Sequence, residues 1–119
     1  MAQVLSHRDL VVWQKAMDLV VLIYRLSGNF PASESYRLIS QITRAAAAVP
    51  ANIAEGNARG TKKDYANFLA IAKGSLMETE TFLMLGIRLN YVSEFEAHPA
   101  LDLITEISKM LTALRSRLL

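Results

Sequence analysis

The chain has no cysteine, which excludes a disulfide framework, a thiolate metal site and a thiol nucleophile, and fits a reducing cytoplasm. Histidine is almost as scarce. His7 and His98 are the only two, and neither has a glutamate three residues before it, although Glu94 precedes His98 by four. The Glu-x-x-His pairs that hold di-metal centres in helical bundles are therefore missing, and we expect neither a metal nor a cofactor. No Gly-x-Ser-x-Gly elbow, phosphate-binding glycine loop or Arg/His ribonuclease motif occurs, so nucleophilic and phosphate chemistry have no carrier and we expect no enzyme. Long apolar runs are also lacking. The longest, Leu19 to Tyr24 and Ala45 to Ala51, fall far short of the ~20 residues of a membrane span. Lys15 and Asp18 interrupt the one apolar stretch near the start, and no small-residue cleavage site follows, so we expect no signal peptide. Net charge is small, +2, too little to mark a nucleic-acid binder by itself.

What is present is helical pattern in 119 residues, a length that suits one domain. The apolar fraction is 52% and the charged fraction 20%, against roughly 45–50% and about 25% in ordinary domains. That excess tilts toward surface buried in an oligomer. Charge is uneven along the chain. Up to Lys73, nine Lys/Arg oppose five Asp/Glu, a net of +4; from Gly74 on, four oppose six, a net of −2.

Four helices are expected, after a lead-in at residues 1–6. The first runs from about 7 to 27, with Ser6 and Asp9 resembling its start. Leu10, Trp13, Met17, Val20 and Tyr24 form one apolar stripe along it, and Val12, Ala16, Leu19, Ile23 and Leu26 a second, leaving a narrow polar strip. Gly28, Asn29 and Pro31 end it. Ser33 caps a second helix over about 34–57, kinked near Pro50. Thr61 caps a third, over about 62–89. Its core stripe is Tyr65, Leu69, Ala72, Leu76, Leu83 and Ile87, while Met77 and Met84 fall on another side, either simply exposed or in an inter-subunit contact. The fourth helix covers about 99–117, with Pro99 in its first turn. Short connections make this an all-α, antiparallel up-down-up-down four-helix bundle.

The stretch from Ser40 to Gly56 is alanine-rich yet carries Gln41, Arg44, Asn52 and Glu55 at offsets of 3, 8 and 3, roughly one helical face. It reads either as a recognition surface or, as we favour, a buried polar network that fixes helix register. Glu78 falls between Ile71, Ser75 and Phe82, so a buried Arg44–Glu78 pair is expected, and Arg44→Ala would then strand a charge at a cost of roughly 3–5 kcal/mol. Arg59, Lys62 and Lys63 cluster beside the third helix's N-terminus. They are either an anion or nucleic-acid site or an ordinary solvated loop.

Gln41-Ile42-x-Arg44-Ala45-Ala46 with Val49-Pro50-Ala51-Asn52-Ile53-Ala54-Glu55-Gly56 resembles the signature of four-helix-bundle proteins encoded in 23S rRNA intervening sequences. Tyr65-x-x-Phe68-Leu69-x-Ile71-Ala72-x-Gly74-Ser75-Leu76-x-Glu78, the opening Leu10-Val11-Val12-Trp13-Gln14-Lys15-Ala16, and Phe30-Pro31 extend the likeness over residues 10–92. The family is similar to the accessory variability proteins of diversity-generating retroelements, which are basic, pentameric bundles that engage nucleic acid and a reverse transcriptase. That resemblance implies a homopentamer, RNA or DNA as ligand, and a reverse transcriptase as partner. The expectation is thus a non-enzymatic, cytoplasmic, homo-oligomeric accessory protein with a basic surface, or else a structural or interaction oligomer with no nucleic-acid role.

Overall fold

Two residue patterns build the core: apolar side chains at 3- and 4-residue spacing, and small residues where helices meet. The structure, a computed structural model, describes residues 6–119; all but Ser6 of the lead-in expected at 1–6 lies outside the described residues. Its helices are α1 (Val11–Ser27), α2 (Leu38–Ala58), α3 (Lys62–Arg88) and α4 (Glu94–Ser116). Among the described residues there is no strand. Each helix packs on its two neighbours around a square, with α2 on α3 the most extensive contact. The second stripe of α1, Val12, Ala16, Leu19 and Ile23, is buried against Ile42, Val49 and Ile53 of α2, Leu69, Leu76 and Leu83 of α3, and Ile104, Ile107 and Leu111 of α4. This is the four-helix bundle that the periodicity predicts.

The starts of α1, α2 and α4 differ from the expected ones, whereas α3 begins at Lys62 behind Thr61 as expected. His7–Asp9 form a separate 3₁₀ turn, and Leu10 is extended before α1 begins. Ser6 and Asp9 cap that short turn: Arg8 N–H donates to Ser6 Oγ (3.2 Å) and Ser6 N–H to Asp9 Oδ2 (3.3 Å). Ser33 is not the cap of α2. Ala32–Glu34 form another 3₁₀ turn, and α2 starts at Leu38, whose N–H donates to the buried Glu34 Oε2 at 3.1 Å. Tyr91 of the α3–α4 corner donates its hydroxyl to Glu34 Oε1 at 3.4 Å. The helix α2 runs unbroken through the buried Pro50.

At the start of α3, Asp64 N–H donates to Thr61 Oγ1 (3.1 Å). The helix ends at Arg88, and Asn90 turns left-handed (φ 61°) while Tyr91 N–H reaches back to Gly86 C=O (2.9 Å), a Schellman-type exit. The last helix starts at Glu94, five residues before Pro99. Ser93 and Glu96 make a reciprocal capping box, with bonds of 3.0 and 3.1 Å. Pro99 sits inside the helix, near enough to its start that few intrahelical bonds precede it. The bonds from Ser93 hold the Glu96 carboxyl below its ordinary range. A depressed carboxyl supports the fold above the ordinary glutamate pKa, and that support is lost as pH falls through the lowered value.

Glycines decide how close α2 and α3 come. A Cβ at Gly56 would lie 2.7 Å from Phe68 Cβ, beside the backbone of α3, where no rotamer can relieve it. A Cβ at Gly74 would meet nothing within 4 Å. We therefore expect opposite signs in urea melts. Gly56→Ala should cost about 1–3 kcal/mol through overpacking, while Gly74→Ala should add about 0.5–1 kcal/mol through helix propensity.

Candidate nucleic-acid interface

The α2–α3 turn is Arg59-Gly60-Thr61. Arg59 is extended (φ −72°, ψ 153°), and its guanidinium lies 4.9 Å above the Phe68 ring while Nη2 pairs with Glu55 Oε1 at 3.3 Å. Arg59 is thus anchored and partly neutralised. Lys62 and Lys63 occupy the first turn of α3, are exposed, and make no ion pair among the described residues. The exposed backbone amides of this turn and the helix dipole add positive potential.

Antiparallel topology enlarges the cluster beyond what sequence reasoning included. The chain enters α1 and leaves α4 at the same end of the bundle as the α2–α3 turn. Arg8 precedes α1 there, and Arg115 and Arg117 close α4. Arg115 Nε donates to Ala66 C=O at 3.1 Å, tying the end of α4 to the second turn of α3. Against Arg8, Arg59, Lys62, Lys63, Arg115 and Arg117 stand Asp9, Glu55 and Asp64, so this end carries a positive surplus. Dividing charge by halves of the sequence hides this, because Arg115 and Arg117 lie in the half with net negative charge. Chain order in an up-down bundle is the signal that finds them.

The buried polar network is not formed within the chain. Gln41, Arg44, Glu55 and Glu78 are exposed, and no ion pair joins Arg44 to Glu78. The buried line of α2 runs through Leu38, Ile42, Ala46, Val49 and Ile53, which turns Arg44 and Glu55 to the opposite side. On α3 the core position beside Glu78 belongs to Thr79, whose hydroxyl donates to Ser75 C=O at 2.9 Å. Ile71, expected on a core-facing side, is exposed. Asn52 is half-buried and donates to Ala48 C=O of its own helix at 2.8 Å. What these residues form is an outward face of α2 and α3.

A second exposed surface is apolar. Trp13, Met17 and Val20 of α1 and Ala47, Pro50, Ala51 and Ala54 of α2 line an open groove of about 390 Å³ together with His7, whose ring meets Trp13 edge-on at 5.0 Å. Val21 and Tyr24 continue the apolar strip along α1 and are about half exposed. Met77 and Met84 are exposed on α3. At the other end of the bundle Tyr36 and Phe95 stand almost wholly in solvent, 97% and 90% exposed. Among the described residues, no group of three His, Asp or Glu side chains gathers to hold a metal, and no helix is long and apolar enough to cross a membrane.

These features define a helical bundle with a basic end and an uncovered apolar groove. The family model of the 23S rRNA-intervening sequence proteins matches residues 8–113, and the chain belongs to that family. Among solved structures, it is similar to a protein of unknown function from the S23 ribosomal protein family of Bacteroides thetaiotaomicron VPI-5482. The two share 30% identity over 88% of this chain and 98% of that one, with a TM-score of 0.79. A comparison with curated proteins finds no match.

The exposure of Arg44 revises the cost of removing it. Arg44→Ala should change stability by less than about 0.5 kcal/mol, as surface substitutions do. A urea melt showing a loss of 3 kcal/mol or more in the isolated chain would restore the buried pair.

Proposed function

We propose that the protein is a non-enzymatic, homo-oligomeric accessory protein of the cytoplasm that engages RNA or DNA through the basic end of its bundle. The observation that carries this reading is the path of the chain, which brings Lys62 and Lys63, in no ion pair among the described residues, to the same end of the bundle as Arg8, Arg115 and Arg117. Cations gathered at one end attract phosphates without reading bases, so binding is sequence-tolerant and dominated by counterion release. Self-association is supported by the α1–α2 groove, where an exposed methionine and tyrosine adjoin a row of alanines that admits a close neighbour. The resemblance to retroelement accessory proteins extends the proposal to five subunits and a reverse transcriptase as partner. Five copies at +2 each would carry +10, with their basic ends gathered on one rim.

Light scattering tests the assembly. A mass near five times 13.2 kDa is expected at micromolar concentration, and Met17→Arg with Ala51→Arg should shift it toward monomer. Wild-type protein that is monomeric throughout would end the oligomer reading. Polarisation of a labelled oligonucleotide across a salt series tests the ligand. Wild type should bind at low salt and release steeply as salt rises, and Lys62→Ala/Lys63→Ala/Arg117→Ala should weaken binding and flatten the salt slope by about 0.7–0.9 per lost phosphate contact. No binding at low salt would leave an interaction oligomer without a nucleic-acid role. Equal binding by the triple variant would place the interface elsewhere.

A further inference from the structure

Gly74 lies in the middle of a 27-residue helix, where glycine is disfavoured. Gly56 and Gly86 have evident reasons, because a Cβ would come within 2.7 Å of Phe68 and 2.8 Å of Phe30. Gly74 has none inside the chain; its missing side chain faces open space. That space is a groove of about 390 Å³ between α3 and α4, within the roughly 300–1,000 Å³ of small-ligand sites. Leu69, Met77 and Leu111 make its apolar lining, and the bare backbone at Gly74 deepens it.

Two cations border this groove. Lys73 and Arg115 are both half-buried, and among the described residues no carboxylate pairs with either. Among the described residues Lys73 Nζ donates only to Thr112 Oγ1, at 2.7 Å, and Arg115, which also lines the groove, is held through its Nε bond to Ala66 C=O, with its outer guanidinium nitrogens in no hydrogen bond. Half-buried cations without a counter-charge favour an incoming anion, and a charge-assisted hydrogen bond in such a place outweighs a neutral one.

We propose that the α3–α4 groove binds a small amphipathic anion: an apolar body seated over Gly74 between Leu69, Met77 and Leu111, with a carboxylate or phosphate held by Lys73 and Arg115. This site is separate from the oligomer groove on α1–α2; it shares Arg115 with the basic end, so the shifts that report it are those at residues 70–77, beside Lys73 and Gly74, which the nucleic-acid reading does not use.

The test is an amide chemical-shift titration of the isotope-labelled full chain with three probes: decanoate below its micelle concentration, decanol, and adenosine 5′-monophosphate. At least one anion should give saturable shifts concentrated at residues 70–77 and 111–116. Decanol should bind at least about tenfold more weakly than decanoate, the loss expected for one charge-assisted contact. Preference for decanoate identifies an acyl-type body, and preference for the nucleotide a base-type one. Gly74→Trp, placed where a side chain meets no neighbour, should fill the groove and abolish the shifts, and Lys73→Met should weaken binding at least about fivefold without unfolding the chain. The proposal is overturned if neither anion shifts groove residues, if decanol binds as well as both anions, or if Gly74→Trp binds unchanged.

Discussion

The close approach of α2 to α3 is the constraint on which the rest of the bundle depends. Gly56 lets Phe68 sit against the α2 backbone, and Gly86 admits the Phe30 ring, which in turn packs at a tilt against Tyr91 with centroids 5.5 Å apart. The alanines of α2 serve the same closeness, with Ala45 and Ala46 buried. With that pair of helices fixed, α1 and α4 lie across it and meet each other less extensively. Both grooves lie along the looser seams, one between α1 and α2 and the other between α3 and α4. Close packing at one seam and openness at the others are thus parts of one arrangement.

Helices were legible in the sequence because apolar spacing reports burial directly. The stripe through Val12, Ala16, Leu19 and Ile23 is core, as its period requires. The parallel stripe through Trp13, Met17 and Tyr24 has the same period, yet Met17 and Tyr24 are about half exposed. Periodicity identifies a face but not whether the same chain covers it. Helix starts were less legible where a short 3₁₀ turn or a neighbouring side chain competes for the cap. Ser33 has the right chemistry for a cap, but the carboxylate of Glu34 reaches Leu38 instead. Ser93 and Glu96 were a readable capping box, overshadowed by the proline that follows.

The polar residues of α2 show a different limit. Arg44 and Glu78 read as partners, and Glu55 as a member of the same polar face, because each sits among small or apolar neighbours in sequence. Opposite charges on adjacent helices pair only if both point into the shared seam, and here Ala45, Gly56 and Ser75 take those places. The basic end has the reverse history. Lys62 and Lys63 were visible as a local run, whereas Arg8, Arg115 and Arg117 join them only through the path of the chain. A surface assembled from both chain ends and a central turn leaves little trace in any local window.

Glu34 carries one further consequence, for the order in which the chain acquires structure. Its carboxylate satisfies the first turn of α2 with one oxygen and receives Tyr91, 57 residues away, with the other. The start of the second helix and the corner between the third and fourth are therefore completed together. A helical hairpin of α1 and α2 alone would lack that hydroxyl and leave the beginning of α2 free to fray. In the full bundle the Leu38 amide is shielded by a contact that spans half the chain, so its exchange with solvent follows opening of the whole structure rather than of the helix end.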